Sequence, residues 1–179
     1  MHLVDGKMGF NHIDEIIKIE GNSLIKSQVR TARKKILREI IEQAFDQEIV
    51  DKYFPTLIES GAITYLEFQG RGVANFIPPS HLKTLAVIPD SQSNGIGYAL
   101  FEGVFQDFRK LYWCSREDRT ANETLYKRLM EEGVAESGPK FFRKDGRLYI
   151  PYYVNLDNNK KELALQEMKN GLIAFKQKN

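Results

Sequence analysis

One stretch, LAVIPDSQSNGIGYAL from Leu85 to Leu100, narrows most what this chain can become. An apolar run stops at Pro89 and a glycine-bearing turn follows. Apolar residues then recur at helical spacing at Ile96, Leu100, Val104 and Phe108, with Phe101 and Phe105 beside them. The pattern predicts a buried strand feeding a helix that begins near Asn94 and packs on a sheet. The first backbone N–H groups of such a helix lack acceptors within it and lie at the positive end of its dipole. Gly95 and Gly97 let a bulky anion approach them, so the junction suits phosphate.

Two common phosphate-binding motifs are absent. There is no G-x-x-x-x-G-K-[ST], which argues against a nucleoside-triphosphate loop. Nor is there a G-x-G-x-x-G with an acidic residue about 20 positions on, which argues against a dinucleotide site. At 179 residues, 42% hydrophobic and 28% charged, the chain fits one main domain with a proper core. Its net charge is only +2 and its basic residues are dispersed, so neither nucleic acid nor an anionic membrane is expected as a partner. The single cysteine, Cys114, excludes an internal disulfide framework. No signal-peptide pattern opens the sequence and no apolar run nears the roughly 18 to 20 residues of a membrane span, so a cytoplasmic location is expected.

Along the chain, residues 1–29 read as a weakly organised lead-in, with a short helix possible around His12 to Ile19 and turn residues at Gly21 to Ser23. Arg30 to Phe45 reads as an amphipathic helix, and Glu48 to Ser60 as a second that Pro55 kinks or restarts. Ala62 to Phe68 and Val73 to Ile77 alternate as a hairpin around Gln69 to Gly72. His81 to Ile88 is the strand entering the glycine turn, and Lys110 to Cys114 is a strand expected to run parallel to it through a right-handed crossover. Thr120 to Glu132 follows as helix, Phe141 to Arg143 and Leu148 to Val154 as a hairpin about Asp145 and Gly146, and Lys160 to Lys176 as a charged amphipathic helix.

The segment Gln92-Ser93-Asn94-Gly95-Ile96-Gly97, preceded by Val87-x-Pro89, resembles the Q/R-x-x-G-x-G/A pyrophosphate loop of the GCN5-related N-acetyltransferases, the GNAT superfamily. The order of elements from about Arg30 to Val154 is the order of that fold. The resemblance implies an α/β (α+β) fold with a mixed central sheet flanked by helices: a lead-in over 1–29, an acetyltransferase domain over 30–155 and a C-terminal helix over 156–179. It implies acetyl-CoA as co-substrate and no metal. Backbone of Leu85, Ala86 and Val87 would pair with the pantetheine arm, and Gln92, Ser93, Asn94, Gly95, Ile96, Gly97 and Tyr98 would hold the pyrophosphate. Asn122 is a further candidate contact to the coenzyme.

A narrower resemblance is to the acetyltransferase domain of N-acetylglutamate synthase, including forms fused to an acetylglutamate-kinase-like domain. Ile41 to Phe45, Asp51 to Phe54, Leu82 to Val87 with Gln92, and above all Leu111-Tyr112-Trp113-Cys114-Ser115-Arg116 carry it, the last resembling that family's L-F-W-R-S-R. His2 to Gly6 and Gly21 to Ile25 look like closing segments of the kinase domain. In this reading Arg116, Ser115 and Lys83 are the substrate-binding candidates. Two departures stand out. Position 114, an arginine in the family, is Cys114, and position 84, a lysine, is Thr84 with Lys83 one place out of register. A cysteine cannot take over the bidentate grip of a guanidinium on a carboxylate.

Acetyl transfer to an amine needs a base, a polarised thioester carbonyl and a proton for the departing thiolate. A main-chain N–H near Val87 is the candidate for the carbonyl. Tyr126 is the candidate acid, as related enzymes place a tyrosine in this helix, or else it only packs beside Leu125 and Leu129. For the base, His81, whose ordinary pKa of about 6.5 suits the task, Glu67 and a water relay all stay open. Cys114 reads as a small core residue rather than a nucleophile, so direct transfer is expected. The three histidines and one cysteine are too scattered for a zinc site. The partner expected is a small-molecule amine, glutamate first. A CoA-sensing module without turnover and a protein or peptide N-acetyltransferase are the alternatives. Leu163, Leu165, Met168, Leu172 and Phe175 of the last helix either close the domain or pair two copies as a homodimer.

Overall fold

The computed structural model describes residues 15–19, 21–29, 34–118 and 123–176. Alternating side chains in most of the strands divide the core in two. In strands β2 (Asn22–Gln28), β3 (Ile63–Glu67), β4 (Gly72–Ile77) and β5 (His81–Val87), the residues Leu24, Tyr65, Ala74, Leu85 and Val87 face one way and Ile25, Leu66, Val73 and Ala86 the other. Helix α3 (Ile96–Asp107) covers the first face through Ile96, Leu100, Phe101 and Val104. Helices α1 (Lys34–Phe45) and α2 (Tyr53–Glu59) cover the second through Leu37, Ile40, Ile41, Phe54 and Leu57. Each of these large side chains contributes on the order of 1.5–3 kcal/mol by leaving water.

With β1 (Glu15–Ile19), β6 (Leu111–Arg116), β7 (Glu136–Ser137), β8 (Phe141–Phe142) and β9 (Leu148–Val154), the described strands form one mixed sheet in the order β1-β2-β3-β4-β5-β6-β9-β7, β8 also pairing with β9. The pairs are antiparallel except β5 with β6, the expected parallel neighbours. Helix α4 (Glu123–Glu131) adds Tyr126 and Leu129 to the α3 side, and α5 (Asn158–Asn170) lays Ala164 and Met168 over Tyr112, Tyr149 and Tyr153.

Three local expectations are corrected. Glu15–Ile19 is a strand, not a helix, and with β2 it extends the sheet instead of standing off as a lead-in. The hairpin is tied to the end of α3 by Lys26 Nζ, 2.8 Å from Asp107. The second helix starts only at Tyr53. Pro55 therefore falls in its first turn, where a missing N–H costs no helical hydrogen bond, and no kink is needed. The last helix ends at Asn170, and residues 171–176 run extended as a strap whose Phe175 bridges to Ile49 and packs on Phe45 with ring centroids 4.8 Å apart.

Glu67 is 2% exposed and its carboxylate is consumed by the β3–β4 turn. It accepts from the backbone N–H of Gln69 at 3.0 Å and of Arg71 at 3.1 Å, and pairs with the Arg71 guanidinium at 2.9 Å. Replacing it by alanine strands those donors. Glu67→Ala should lower the unfolding free energy by about 3 kcal/mol in a urea titration.

Candidate active site

The loop after β5 is a short 3-10 turn, Pro89–Ser91, followed by exposed residues Gln92 to Gly95. Gly95, at φ +72°, caps α3 in the left-handed conformation that a side chain resists, so the helix starts at Ile96, two residues later than its spacing suggests. Gly72 is the other half of this junction. A Cβ there would lie 2.8 Å from Ile96, so only glycine lets the start of α3 settle on β4. The first helical hydrogen bond runs from Ala99 N to Gly95 O, and the N–H groups of Ile96 and Gly97 precede it. Gln92 Nε2 donates to Val87 O at 3.2 Å, holding the turn against the strand end. From α4, the Arg128 guanidinium stacks 4.0 Å from the centroid of the Tyr98 ring, paired through Nε with Glu132 at 2.7 Å, a cation that the sequence reading missed. Amides that precede the helical ladder, a Gly97 with no side chain and a nearby cation fit a diphosphate. Leu85, Ala86 and Val87 bury their side chains, which leaves only their backbone for a ligand. Asn122 lies outside the described residues.

Strands β5 and β6 pair at His81 and Tyr112, with Tyr112 N donating to Ser80 O at 2.8 Å; among the described residues no further pair continues the ladder toward their carboxyl ends. The strands therefore part, and a cavity opens between them. Its walls include Leu82, Leu85, Trp113 and Tyr126 from the α3 side, and Lys83, Cys114, Arg116, Arg143 and Glu167 from the other. Tyr126 is 6% exposed and packs against Trp113 and Tyr152, with centroids 5.6 and 4.9 Å away. It lines the cavity. Glu67, engaged in its turn, is not among the cavity residues.

A bulge in β5 settles what position 83 does. Thr84 opposes Asn75 while Leu82 opposes Phe76, so Lys83 is the extra residue. Lys83 and Thr84 then both serve the α1/α2/α5 side. Thr84 meets the buried Tyr53 phenol at 2.5 Å, and Lys83 Nζ reaches the strap, donating to Leu172 O at 2.9 Å. Burial, reinforced by the Arg143 charge, lowers the Lys83 pKa to about 8.

His81, 8% exposed, is more buried than a strand-edge residue after two prolines suggests. Its Nδ1 donates to Glu167 Oε1 at 3.1 Å, and its ring stacks on Tyr112 with centroids 4.7 Å apart. Burial lowers its pKa, so the ring is neutral at pH 7 and Nε2 carries the lone pair. The His81 hydrogen bond in turn holds the Glu167 carboxyl below its usual range. Arg116 reaches the cavity, yet its fork is engaged by Asp118, with Nε 2.9 Å from Oδ1. Ser115 also lines the cavity, its hydroxyl donating to Arg116 O at 3.4 Å. Cys114 is half-buried and burial raises its pKa, so it is a neutral thiol. Arg143, Arg147 and Glu167 were not singled out in the sequence, because two sit beside a β-turn and one in a helix of solvated charges. Among the described residues no group of His, Cys, Asp and Glu is arranged to hold a metal, and no helix is long and apolar enough to cross a membrane.

The fold is shared with GNAT-family proteins from Desulfovibrio desulfuricans (TM-score 0.54, 17% identity, 73% of this chain and 98% of that one) and Bordetella pertussis (TM-score 0.54, 14% identity, 78% and 99%). Comparison with curated proteins gives no match. The family model for the N-acetyltransferase of N-acetylglutamate synthase matches residues 23–142, which span β2, the phosphate-type turn, the parting strands and β8. The chain therefore belongs to that family and is an acetyltransferase of the GNAT superfamily, whose members use acetyl-CoA as co-substrate.

Proposed function

We propose that the protein acetylates the amine of a small acidic amino acid, with glutamate the first candidate acceptor. The observation that carries this reading is the charge of the cavity. Lys83, Arg116, Arg143 and Arg147 line it against one carboxylate, Glu167, which His81 already engages. A cavity so charged favours an anionic acceptor over a neutral one.

In this reading the turn at Gln92 to Tyr98 binds the diphosphate of acetyl-CoA, and the backbone of β5 from Leu85 to Val87 receives its pantetheine arm. The coenzyme supplies an activated acetyl thioester when bound. His81, held by Glu167 in the tautomer that leaves Nε2 open, takes the proton from the acceptor's ammonium group. This is the division of labour between a base and the carboxylate that orients it. Tyr126, on the opposite wall, gives its phenolic proton to the departing thiolate. A phenol ordinarily titrates near 10, against about 8.5 for a thiol, which suits a neutral donor to a nascent thiolate. No covalent acyl-enzyme is needed, and the neutral, half-buried thiol of Cys114 makes a poor nucleophile.

The test is release of free CoA thiol from acetyl-CoA over a panel of amino acids. Glutamate and aspartate should give kcat/KM at least tenfold above glutamine, asparagine and lysine. Equal rates across the panel, or turnover of peptides alone, would reject an acidic amino acid as acceptor.

A further inference from the structure

We infer that Lys83 and Arg143 together form an anion subsite for the acceptor's carboxylate, which the C-terminal strap occupies until an acidic ligand displaces it. This rests on the acidic-acceptor reading above and names the residues that would enforce it. Both cations converge on main-chain oxygens of the strap. Arg143 Nη2 donates to Gly171 O at 2.7 Å and to Leu172 O at 3.2 Å, while Lys83 Nζ donates to the same Leu172 O at 2.9 Å. Two neighbouring oxygens gripped by a guanidinium and an ammonium are what a bound carboxylate would present.

The strap is an incomplete partner. Arg143 Nε is buried with no acceptor, a donor left over after the carbonyls are satisfied. Among the described residues, no carboxylate lies within ion-pair distance of Lys83 or Arg143. Glu167 is turned to His81 and the Tyr112 phenol, and Cys114 contributes only a neutral thiol. A carboxylate would replace two neutral carbonyls with one full negative charge shared by its two oxygens and offer its lone pairs to the idle Nε.

Arg143 also explains how the family's lost arginine is made good. Position 114 carries a cysteine, and the Arg143 side chain reaches hydrogen-bonding distance of that thiol from the turn between β8 and β9. The ring of Tyr149 lies 5.1 Å from its guanidinium carbon and keeps it there. The positive charge has moved to the β8–β9 turn while staying in the same part of the cavity. The strap itself is held at its far end by Val50 N to Ala174 O and by Lys176 to Glu48, so its middle can lift without the ends letting go.

The experiment is calorimetric titration of the full chain with glutarate, a dicarboxylate that has no amine to acetylate, alongside a separate titration with acetyl-CoA. Wild type should bind glutarate. Lys83→Met and Arg143→Met should each weaken that binding at least tenfold, Lys83→Arg should retain it within threefold, and acetyl-CoA affinity should stay within twofold in all three. Retained acetyl-CoA binding also certifies that a variant is folded. Amide hydrogen exchange at residues 171–175 should rise when glutarate binds. Glutarate binding that survives both methionine variants, or a wild type that binds acetyl-CoA but not glutarate, would overturn the subsite. Glutarate bound without acetyl-CoA would instead overturn the acetyltransferase reading and leave the subsite standing.

Discussion

His81→Gln should lower kcat at pH 7.5 by a factor of 10²–10⁴ while leaving the acetyl-CoA dissociation constant unchanged, the span expected when a positioned base is removed. Glutamine fills a similar volume and can still donate to Glu167, so lost packing does not explain the effect. Glu167→Gln should cost less, about tenfold, because it loosens the orientation of the ring and leaves Nε2 in place. The pH dependence follows from the direction of the shift. Burial lowers the His81 pKa, so the neutral base is already present at pH 6.5, and kcat/KM in wild type should fall only below that. The variant should lose this acid limb. The same shift has a consequence for stability. Unfolded His81 binds a proton below about 6.5 and folded His81 resists it, so its contribution is present above that pH and is lost as pH falls through the folded value. Urea midpoints measured between pH 7 and 5 should therefore fall more steeply for wild type than for His81→Gln. Parallel curves, or a kcat within threefold of wild type, would remove His81 from the mechanism.

Gly97→Glu should weaken acetyl-CoA binding about a hundredfold with little change in thermal stability. The two halves of that expectation have separate causes. Gly97 has no positive φ, and a Cβ there would meet Val87 and Leu125 at 3.7 Å, an ordinary contact, so the fold accepts a side chain. A carboxylate in the first turn of α3 also interacts favourably with the helix dipole. That carboxylate nevertheless occupies the amides proposed for the diphosphate and repels it. Gly95→Glu would be a poorer test, since its left-handed backbone adds strain to any loss of binding. Unchanged acetyl-CoA affinity in Gly97→Glu, measured by calorimetry, would mean that the diphosphate binds elsewhere.

The two sites differ in how well they could be read in advance. The diphosphate turn is local. Ile96, Leu100 and Val104 announce the helix, Pro89 and Gly95 bound the turn, and the hydrogen-bonding consequence follows within about ten residues. The acceptor cavity is assembled from β5, β6, the β8–β9 turn, α5 and the strap, so Arg143 and Glu167 look like any surface charges until the chain is closed around them. Arg116 illustrates the reverse case. Its sequence context marks it as a substrate ligand, but the fold hands its fork to Asp118, which a substrate would have to displace.

Periodicity alone carried most of the element order from α1 to β9, the hairpin about residues 69–72 and the helix start after the glycine turn, because these depend on neighbours a few residues apart. It failed at Glu15–Ile19, where pairing with Ser23 and Leu24 across a turn outweighs a weak helical pattern, and at residues 171–176, where contacts with the 48–50 segment pull the chain out of helix. The parting of β5 from β6, the bulge at Lys83 and the convergence of two cations on Leu172 O were decided only by tertiary structure. The parting and the convergence relate segments 29 to 89 residues apart, the bulge is a register shift between β4 and β5, and no spacing along one segment encodes any of them.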